Sequence, residues 1–343
     1  LSQPLRPPSV DELPQIVRTH TRLHVRGGGS KGALSTAADA SQLVDISDLS
    51  GVVEYEPAEY TFTAQAGTSV AEIRAMLAGE GQYLRFDPPL TGSRATPGGT
   101  GAAGVNRPGR VRYGGVRDFL LRVRFVDGQG TLLRGGGKVV KNAAGFDYPK
   151  LLVGSLGRLG ILTEVTFKVF PEPPAYATLA IPCPDLSTAL GHVTALNRSK
   201  FDINGLDCGP EQNGQWTVWV RLGGLAAALD ERMAALRAQV GQGAVLAGEE
   251  DAGFWLDAGN CGWLPEGAAL AKVPVTPSRI PALEEALPAD APRRYSVGGN
   301  LLWLGWDRPV AELDGILSAR GLSGVVLRGP TEQPWLGRRP AGP

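Results

Sequence analysis

The sequence predicts an α+β protein of two domains, and three observations carry that expectation. Short strands, rather than long periodic helices, dominate the first half. In the second half helices alternate with antiparallel-looking strands, a pattern that suits a sheet with one helical face. Between the halves Pro171, Pro173 and Pro174 break the chain, because adjacent prolines stay extended and cannot continue a strand. The boundaries expected are 1–173 for the first domain, 174–329 for a smaller α+β domain with an antiparallel sheet, and a loose, proline-rich tail at 330–343.

Taken in order, Ser9 with Glu12 three residues on reads as a capping box opening a helix to Thr19, slightly bent at Pro14. Leu23 to Val25 reads as a buried strand running into a glycine-rich loop at 26–32. Strands follow at Leu43–Ile46, Val52–Tyr55 and Tyr60–Ala64, the last two joined by a turn at Glu56 and Pro57. Ser69 and Glu72 form a second capping box, for a helix that ends at Gly79 to Gly81. A second glycine-rich loop spans Thr96 to Gly104. Strands are expected at Phe119–Val126 and Val165–Phe170. Beyond the break, helices are expected at 186–197, 225–240, 277–286 and 309–320, and strands at 215–222, 269–275, 300–306 and 324–327.

Composition sets limits on function. The 343 residues suffice for two cores. The 34 basic and 34 acidic residues cancel, so no net field draws the chain to nucleic acid or an anionic membrane. Cys183, Cys208 and Cys261 are far apart and lack a C-x-x-C spacing, which argues against a disulfide framework, a zinc site or a cysteine-held cluster in this chain. A reducing cytoplasm suits them. No apolar run approaches the roughly 18 residues of a membrane-spanning helix, so any contact with the inner membrane is expected through partners.

The two glycine loops carry the chemistry. Backbone without bulky side chains exposes successive N–H groups that can close around an anion. Each charge-assisted N–H to phosphate bond contributes roughly 1.5–3 kcal/mol, so two loops together can hold a dinucleotide without a covalent bond. Gly27, Gly29 and Gly32 also satisfy G-x-G-x-x-G, with Asp45 or Asp48 near the spacing of a ribose-binding acid. A nicotinamide-binding Rossmann unit is thus a second reading. It would need a helix at Ala33–Ser41, which has little apolar face, and it leaves the second loop idle. A P-loop fails because Val139 follows Gly137-Lys138, and a nucleophile elbow around Ser155 fails because Val153 replaces its first glycine. The histidines are three: His20 at a helix end, His24 in a strand and His192 in a helix, where a structural role is expected. Arg112 and Arg117 read as phosphate clamps or ion-pair partners of Asp118, with Arg112 favoured as a clamp beside Tyr113 and Gly114. Lys138 and Lys141 flank a glycine-rich turn and read equally as ligand-neutralising or as solvated.

These blocks in this order resemble the FAD-binding domain of the vanillyl-alcohol oxidase and p-cresol methylhydroxylase (PCMH) superfamily, over roughly Pro4 to Pro171. Within it, the run Gly136 to Asp147, then Gly154-Ser155-Leu156-Gly157 and Ile161 to Val165, is similar to the FAD-binding E subunits of bacterial glycolate oxidases, as is the Gly298 to Trp303 segment. The resemblance implies a PCMH-type domain of two α+β subdomains. It implies FAD held by Arg26, Gly27, Gly28, Gly29, Ser30 and Lys31 in the first loop and by Pro97, Gly98, Gly99, Thr100, Gly101 and Ala102 in the second. Arg112, Tyr113 and Gly114 would lie along the flavin, Gly160 and Ile161 would meet the adenine end, and Asn142 completes the set. No histidine stands in 26–31, so the FAD is expected to be noncovalent. The resemblance further implies oxidation of a 2-hydroxy acid, glycolate, within a complex with a sister FAD subunit and an iron–sulfur subunit. Catalytic relatives carry a histidine-rich motif in the C-terminal half, where this chain has only His192. Turnover is therefore expected mainly in the sister subunit, with this chain a second flavin centre or an assembly partner; no catalytic residue and no metal ligand is assigned.

Overall fold

A computed structural model of the chain describes residues 3–35, 41–137, 145–211, 214–331 and 333–337. The chain forms two compact units, Leu1–Asn106 with Gly114–Glu172 and Arg107–Tyr113 with Pro173–Pro343. The segment at 107–113 thus leaves the first unit and belongs to the second.

In the first unit, strands Leu23–Arg26 and Gln42–Asp45 pair in parallel, with Leu23 opposite Gln42 and Arg26 opposite Asp45. A five-stranded sheet runs in the order Val52–Glu56, Thr61–Gln65, Ile161–Lys168, Leu120–Val126, Leu132–Gly136. All its neighbours are antiparallel. Ile161–Lys168 lies at its centre and starts four residues before the expected Val165, because Ile161, Leu162 and Thr163 are already buried there. Phe167 stacks at 5.9 Å on Phe62 and meets Phe86 at 5.2 Å, and Phe86 in turn meets Phe119 at 5.6 Å. This ring cluster forms the apolar floor of the unit, since each aromatic removes a large area from water.

Two local expectations change. The Ser9 side chain makes no capping bond; a 3-10 turn, Val10–Glu12, precedes the helix Leu13–Thr19. Pro14 sits in the first turn of that helix, where its missing N–H costs nothing, so it starts the helix rather than bending it. The second glycine loop is in fact a helix, Pro97–Ala103. Thr96 caps it by accepting the Gly99 amide at 3.2 Å, Pro97 opens it, and Gly104 ends it at φ +60°. Glycine disfavours a helix by about 1 kcal/mol each, and close packing offsets that: a Cβ on Gly98 would lie 2.6 Å from the Ala66 Cβ.

The second unit is a nine-stranded sheet in the order Ala244–Ala247, Ala175–Cys183, Trp216–Gly224, Ile203–Pro210, Arg293–Ser296, Leu301–Trp306, Ala269–Pro274, Ser323–Arg328, Trp335–Gly337. Every neighbouring pair is antiparallel. Helices Leu186–Asn197, Ala226–Val240 and Val310–Ala319 stand where the sequence placed them. The expectation of a single helical face is corrected. Thr178 and Arg221, register partners on one face, both bind Asp251 of the helix Gly248–Asn260. The next register pair, Leu179 and Val220, points to the other face and is also fully buried. Both faces are therefore covered. Among the described residues no helix is long and apolar enough to cross a membrane.

Candidate functional site

The first unit holds a cavity of about 480 Å³. Its wall is built from the strand end and loop Arg26 to Gly32, from Arg94, Thr96, Gly98, Gly99, Ala102 and Ala103, and from Leu156, Gly157 and Gly160 to Leu162. The two glycine-rich segments, far apart in sequence, are thus brought onto one cavity. They also touch each other. A Cβ on Gly27 would meet Thr96 Oγ1 at 2.7 Å, and one on Gly28 would lie 1.6 Å from the Arg94 carbonyl oxygen. Glycine is required at Gly28 by this close approach of backbone to backbone, at Gly27 by the Thr96 side chain, and at Gly29 by a φ of +73°.

The donor set suits an anion. Among the described residues, no hydrogen bond uses the amides of residues 27 to 31 as donors. Arg26 is already engaged, its Nη2 donating to Asp45 at 2.7 Å. Arg6 approaches the same carboxylate at 3.3 Å, and the Ser47 amide donates to its other oxygen at 3.0 Å. Burial works against the Asp45 carboxylate, yet the hydrogen bonds from Ser47 and Arg26 and the Arg26 charge hold its pKa below the ordinary 3.8. Lys31 differs. Only 8% exposed, it makes one described hydrogen bond, to Ser30 Oγ at 3.1 Å, and among the described residues it pairs with no carboxylate. Burial pulls its pKa down to about 8.

Of the residues the sequence singled out, Arg26, Gly27, Gly28, Gly29, Ser30, Lys31, Gly98, Gly99, Ala102, Gly160 and Ile161 line this cavity. Pro97, Thr100 and Gly101 belong to the same short helix but face its packed side; all three are buried. Arg112, Tyr113 and Gly114 do not line it. Arg112 pairs with Asp202 at 3.1 Å and Tyr113 accepts from Asn204 Nδ2 at 2.8 Å, which ties both into the second unit. Gly114 turns at φ +89° beside Asp118, which caps the Gly115 amide at 2.8 Å. Asn142, Lys138 and Lys141 lie outside the described residues.

Several lining residues carried no sequence signal for this role: Arg6, His24, Arg94 and Leu156. His24 alternates along its strand toward the cavity wall. Its Nε2 is buried without a described partner, and burial together with the Arg26 charge lowers its pKa. Arg94 and Leu156 hold φ values of +60° and +54°, a strained left-handed backbone at a cost of order 1–3 kcal/mol each. Asp45, read from sequence only as a ribose acid, instead anchors Arg26 and Arg6. The Rossmann reading loses its frame as well. The parallel strands before and after the loop form a two-stranded pair; among the described residues the loop leads into a 3-10 turn, Gly32–Ser35, and most of the helix that reading needs, Ala33–Ser41, lies outside the described residues.

Comparison with known proteins agrees with this geometry. A family model described as an FAD binding domain matches residues 4–136. The chain is 34% identical to the glycolate oxidase subunit GlcE of Escherichia coli over 86% of its own length and 79% of that subunit's. It is 27% identical to the D-2-hydroxyglutarate dehydrogenase of Stutzerimonas stutzeri over 59% of its own length, and that match spans only 44% of the dehydrogenase. The fold matches a solved alkyldihydroxyacetonephosphate synthase with a TM-score of 0.71 over 93% of this chain and 72% of the synthase, at 18% identity. Unpaired amides, a lone buried ammonium and glycine walls that a Cβ would fill are what the dinucleotide part of FAD requires.

Proposed function

Because the chain belongs to the PCMH-type FAD-binding family, we propose that it is the FAD-binding subunit of a complex oxidising glycolate to glyoxylate. The observation that carries the reading is the convergence of Arg26 to Lys31 and Gly98 to Ala102 on one cavity, in a chain 34% identical to a glycolate oxidase subunit. The amides of residues 27 to 31 and the Lys31 ammonium would hold the diphosphate. Gly160 and Ile161 would offer backbone to the adenine end. Bound FAD supplies the acceptor for the hydrogen of a hydroxylated carbon. A sister FAD subunit and an iron–sulfur subunit complete the proposed assembly, with membrane contact made through them and the chain itself cytoplasmic.

A second reading is an accessory flavoprotein without turnover of its own. It is favoured by the one histidine of the second unit, His192, which lies within the helix Leu186–Asn197 rather than on the sheet. Absorption of the purified chain before and after acid precipitation tests the first part. Bands near ~370 and ~450 nm are expected for a bound flavin, with colour released to the supernatant. Colour retained in the pellet would instead assign covalent attachment, with His24 the first residue to substitute. A colourless protein that takes up no added FAD would end the reading. Adding glycolate to the loaded chain separates the two roles: slow bleaching supports the accessory reading and rapid bleaching excludes it.

A further inference from the structure

We propose that the edge strand Ala244–Ala247 is the seat of a second copy of this chain, the two strands pairing antiparallel about a two-fold axis so that two nine-stranded sheets join into one. The inference is independent of the FAD reading.

A sheet edge exposes unpaired amides and carbonyls, and chains guard such edges with charges, with very short strands or with covering segments. Among the described residues, three of the four outer strands of the two large sheets are guarded. Val52–Glu56 carries Glu54 and Glu56, Leu132–Gly136 carries Arg134, and Trp335–Gly337 has three residues only. Ala244–Ala247 differs. Its strand neighbour is Ala175–Cys183, with Val245 opposite Leu179 and Ala244 opposite Ala180. Ala244, Val245 and Ala247 are exposed, Val245 by 42%. Among the described residues, no backbone bond from outside the sheet reaches this strand. No residue from Ala238 to Gly248 is ionisable, in a chain of which 20% is charged.

Charge selects the second copy as the occupant. A two-fold axis sets the run opposite itself, so a charge on it would face its own likeness, and like charges directly opposite destabilise a strand pair. This run has none to clash. The helix leading into the strand, Ala226–Val240, supplies the attraction. Arg237 turns toward the strand, its Nη2 donating to the Gly243 carbonyl at 2.5 Å, whereas Arg232 lies on the other flank and donates to the Gly223 carbonyl at 2.9 Å. Asp230 stands seven residues before Arg237, close to two full turns, and so shares its flank. Neither forms an ion pair among the described residues. The axis runs the two helices antiparallel, which carries Asp230 of each copy toward Arg237 of the other. Such pairing closes at a dimer, because the far edge of each sheet is the short strand Trp335–Gly337.

Sedimentation equilibrium of the purified full chain, at concentrations up to about 100 μM, reads the association down to weak contacts. A monomer–dimer equilibrium is expected, weaker at high salt because exposed charge pairs contribute to it. Val245→Lys sets an ammonium of each copy beside the axis and should leave the chain monomeric, with circular dichroism unchanged because the position is half-exposed. Asp230→Arg and Arg237→Asp should each weaken the dimer roughly tenfold, since two symmetric contacts turn repulsive, and the double swap should restore it. Simple damage to the helix would give no such rescue. A wild type that stays monomeric throughout overturns the inference, and if Val245→Lys then abolishes capture of a different protein, the edge belongs to that partner instead. A dimer that neither Val245→Lys nor the charge reversals weaken overturns it as well, because the contact would lie elsewhere on the chain.

Discussion

A Cβ on Gly28 would lie 1.6 Å from the carbonyl oxygen of Arg94, and Arg94 holds that oxygen in place with a left-handed φ of +60°. Two segments of the cavity wall are therefore locked by the absence of a single carbon. Gly28→Ala must push the loop away from Arg94, since the obstacle is backbone rather than a flexible side chain. The expected outcome is at least a tenfold loss of FAD affinity, with secondary structure by circular dichroism unchanged. Undiminished affinity in this variant would mean that the loop does not shape the site.

The Asp45 carboxylate gives the first unit an acid limit. Its folded pKa is depressed below 3.8, so the stability it contributes is fully present above that value and is lost as pH falls through the lower folded value. Asp45→Asn should flatten this part of the acid-unfolding curve and loosen Arg26 and Arg6. Urea midpoints of both proteins between about pH 2 and 6 check it. Equal steepness below pH 4 would show that other carboxylates set the limit.

Lys31 acts in the opposite direction on the free protein. Its folded value of about 8 lies below its ordinary 10.5, so between these values the unfolded chain binds more protons and stability rises with pH. Lys31→Met should thus be the more stable apoprotein at pH 7, by up to about 3 kcal/mol, and the gap should shrink as pH rises from 8 toward 10.5. Thermal melts of both apoproteins across this range test the sign.

Much of this was legible because its causes are local. The helix Leu186–Asn197 has its cap in Asp185, which accepts the Thr188 amide at 2.7 Å, and its apolar spacing in Ala189, Val193 and Leu196. Glycine density likewise marked both cavity walls. What failed to show depends on distant partners. Ile203–Pro210 carries Asn, Gly, Asp and Pro, yet it is a central strand buried along nearly its whole length. Gly205 lies under the Trp255 ring, and Asp207 is satisfied by Arg294 and Ser296, almost ninety residues on. The helix Gly248–Asn260 looks polar at its start because Asp251 is directed inward to Arg221. Arg112 and Tyr113, next to Gly114 in sequence, do not line this cavity, and their bonds to Asp202 and Asn204 are partners that no local spacing announces.

Gly191 and Gly315 lie exposed within the helices Leu186–Asn197 and Val310–Ala319, with open space where a Cβ would stand and no left-handed φ. Alanine at either position should stabilise the second unit by roughly 0.5–1 kcal/mol, through the unfolded chain's reduced freedom. Urea midpoints with unchanged slopes are the readout. A loss of stability would mean that these surfaces are covered by another molecule.

Asp251 holds the helix Gly248–Asn260 to the sheet through a chain of bonds. Trp255 Nε1 donates to Thr178 Oγ1 at 2.7 Å, Thr178 donates to Asp251 at 2.5 Å, and Arg221 donates to Asp251 through two nitrogens at 3.0 and 2.6 Å. The carboxylate is buried, while Arg221 keeps 21% of its side chain exposed and rests on the Tyr176 ring at 3.9 Å. Asp251→Ala removes the common acceptor and strands a partly buried guanidinium and a buried hydroxyl. Its cost should be about 3 kcal/mol, the lower part of the range for breaking a buried pair because Arg221 still reaches water. Asp251→Leu with Arg221→Met tests whether that cost is the worth of the pair or the penalty of the stranded charge. Apolar replacement of both partners is often close to neutral, so the double variant should recover most of the loss. A double variant as unstable as Asp251→Ala would show that the ion pair itself, and not the mere absence of an orphaned charge, seats the helix on the sheet.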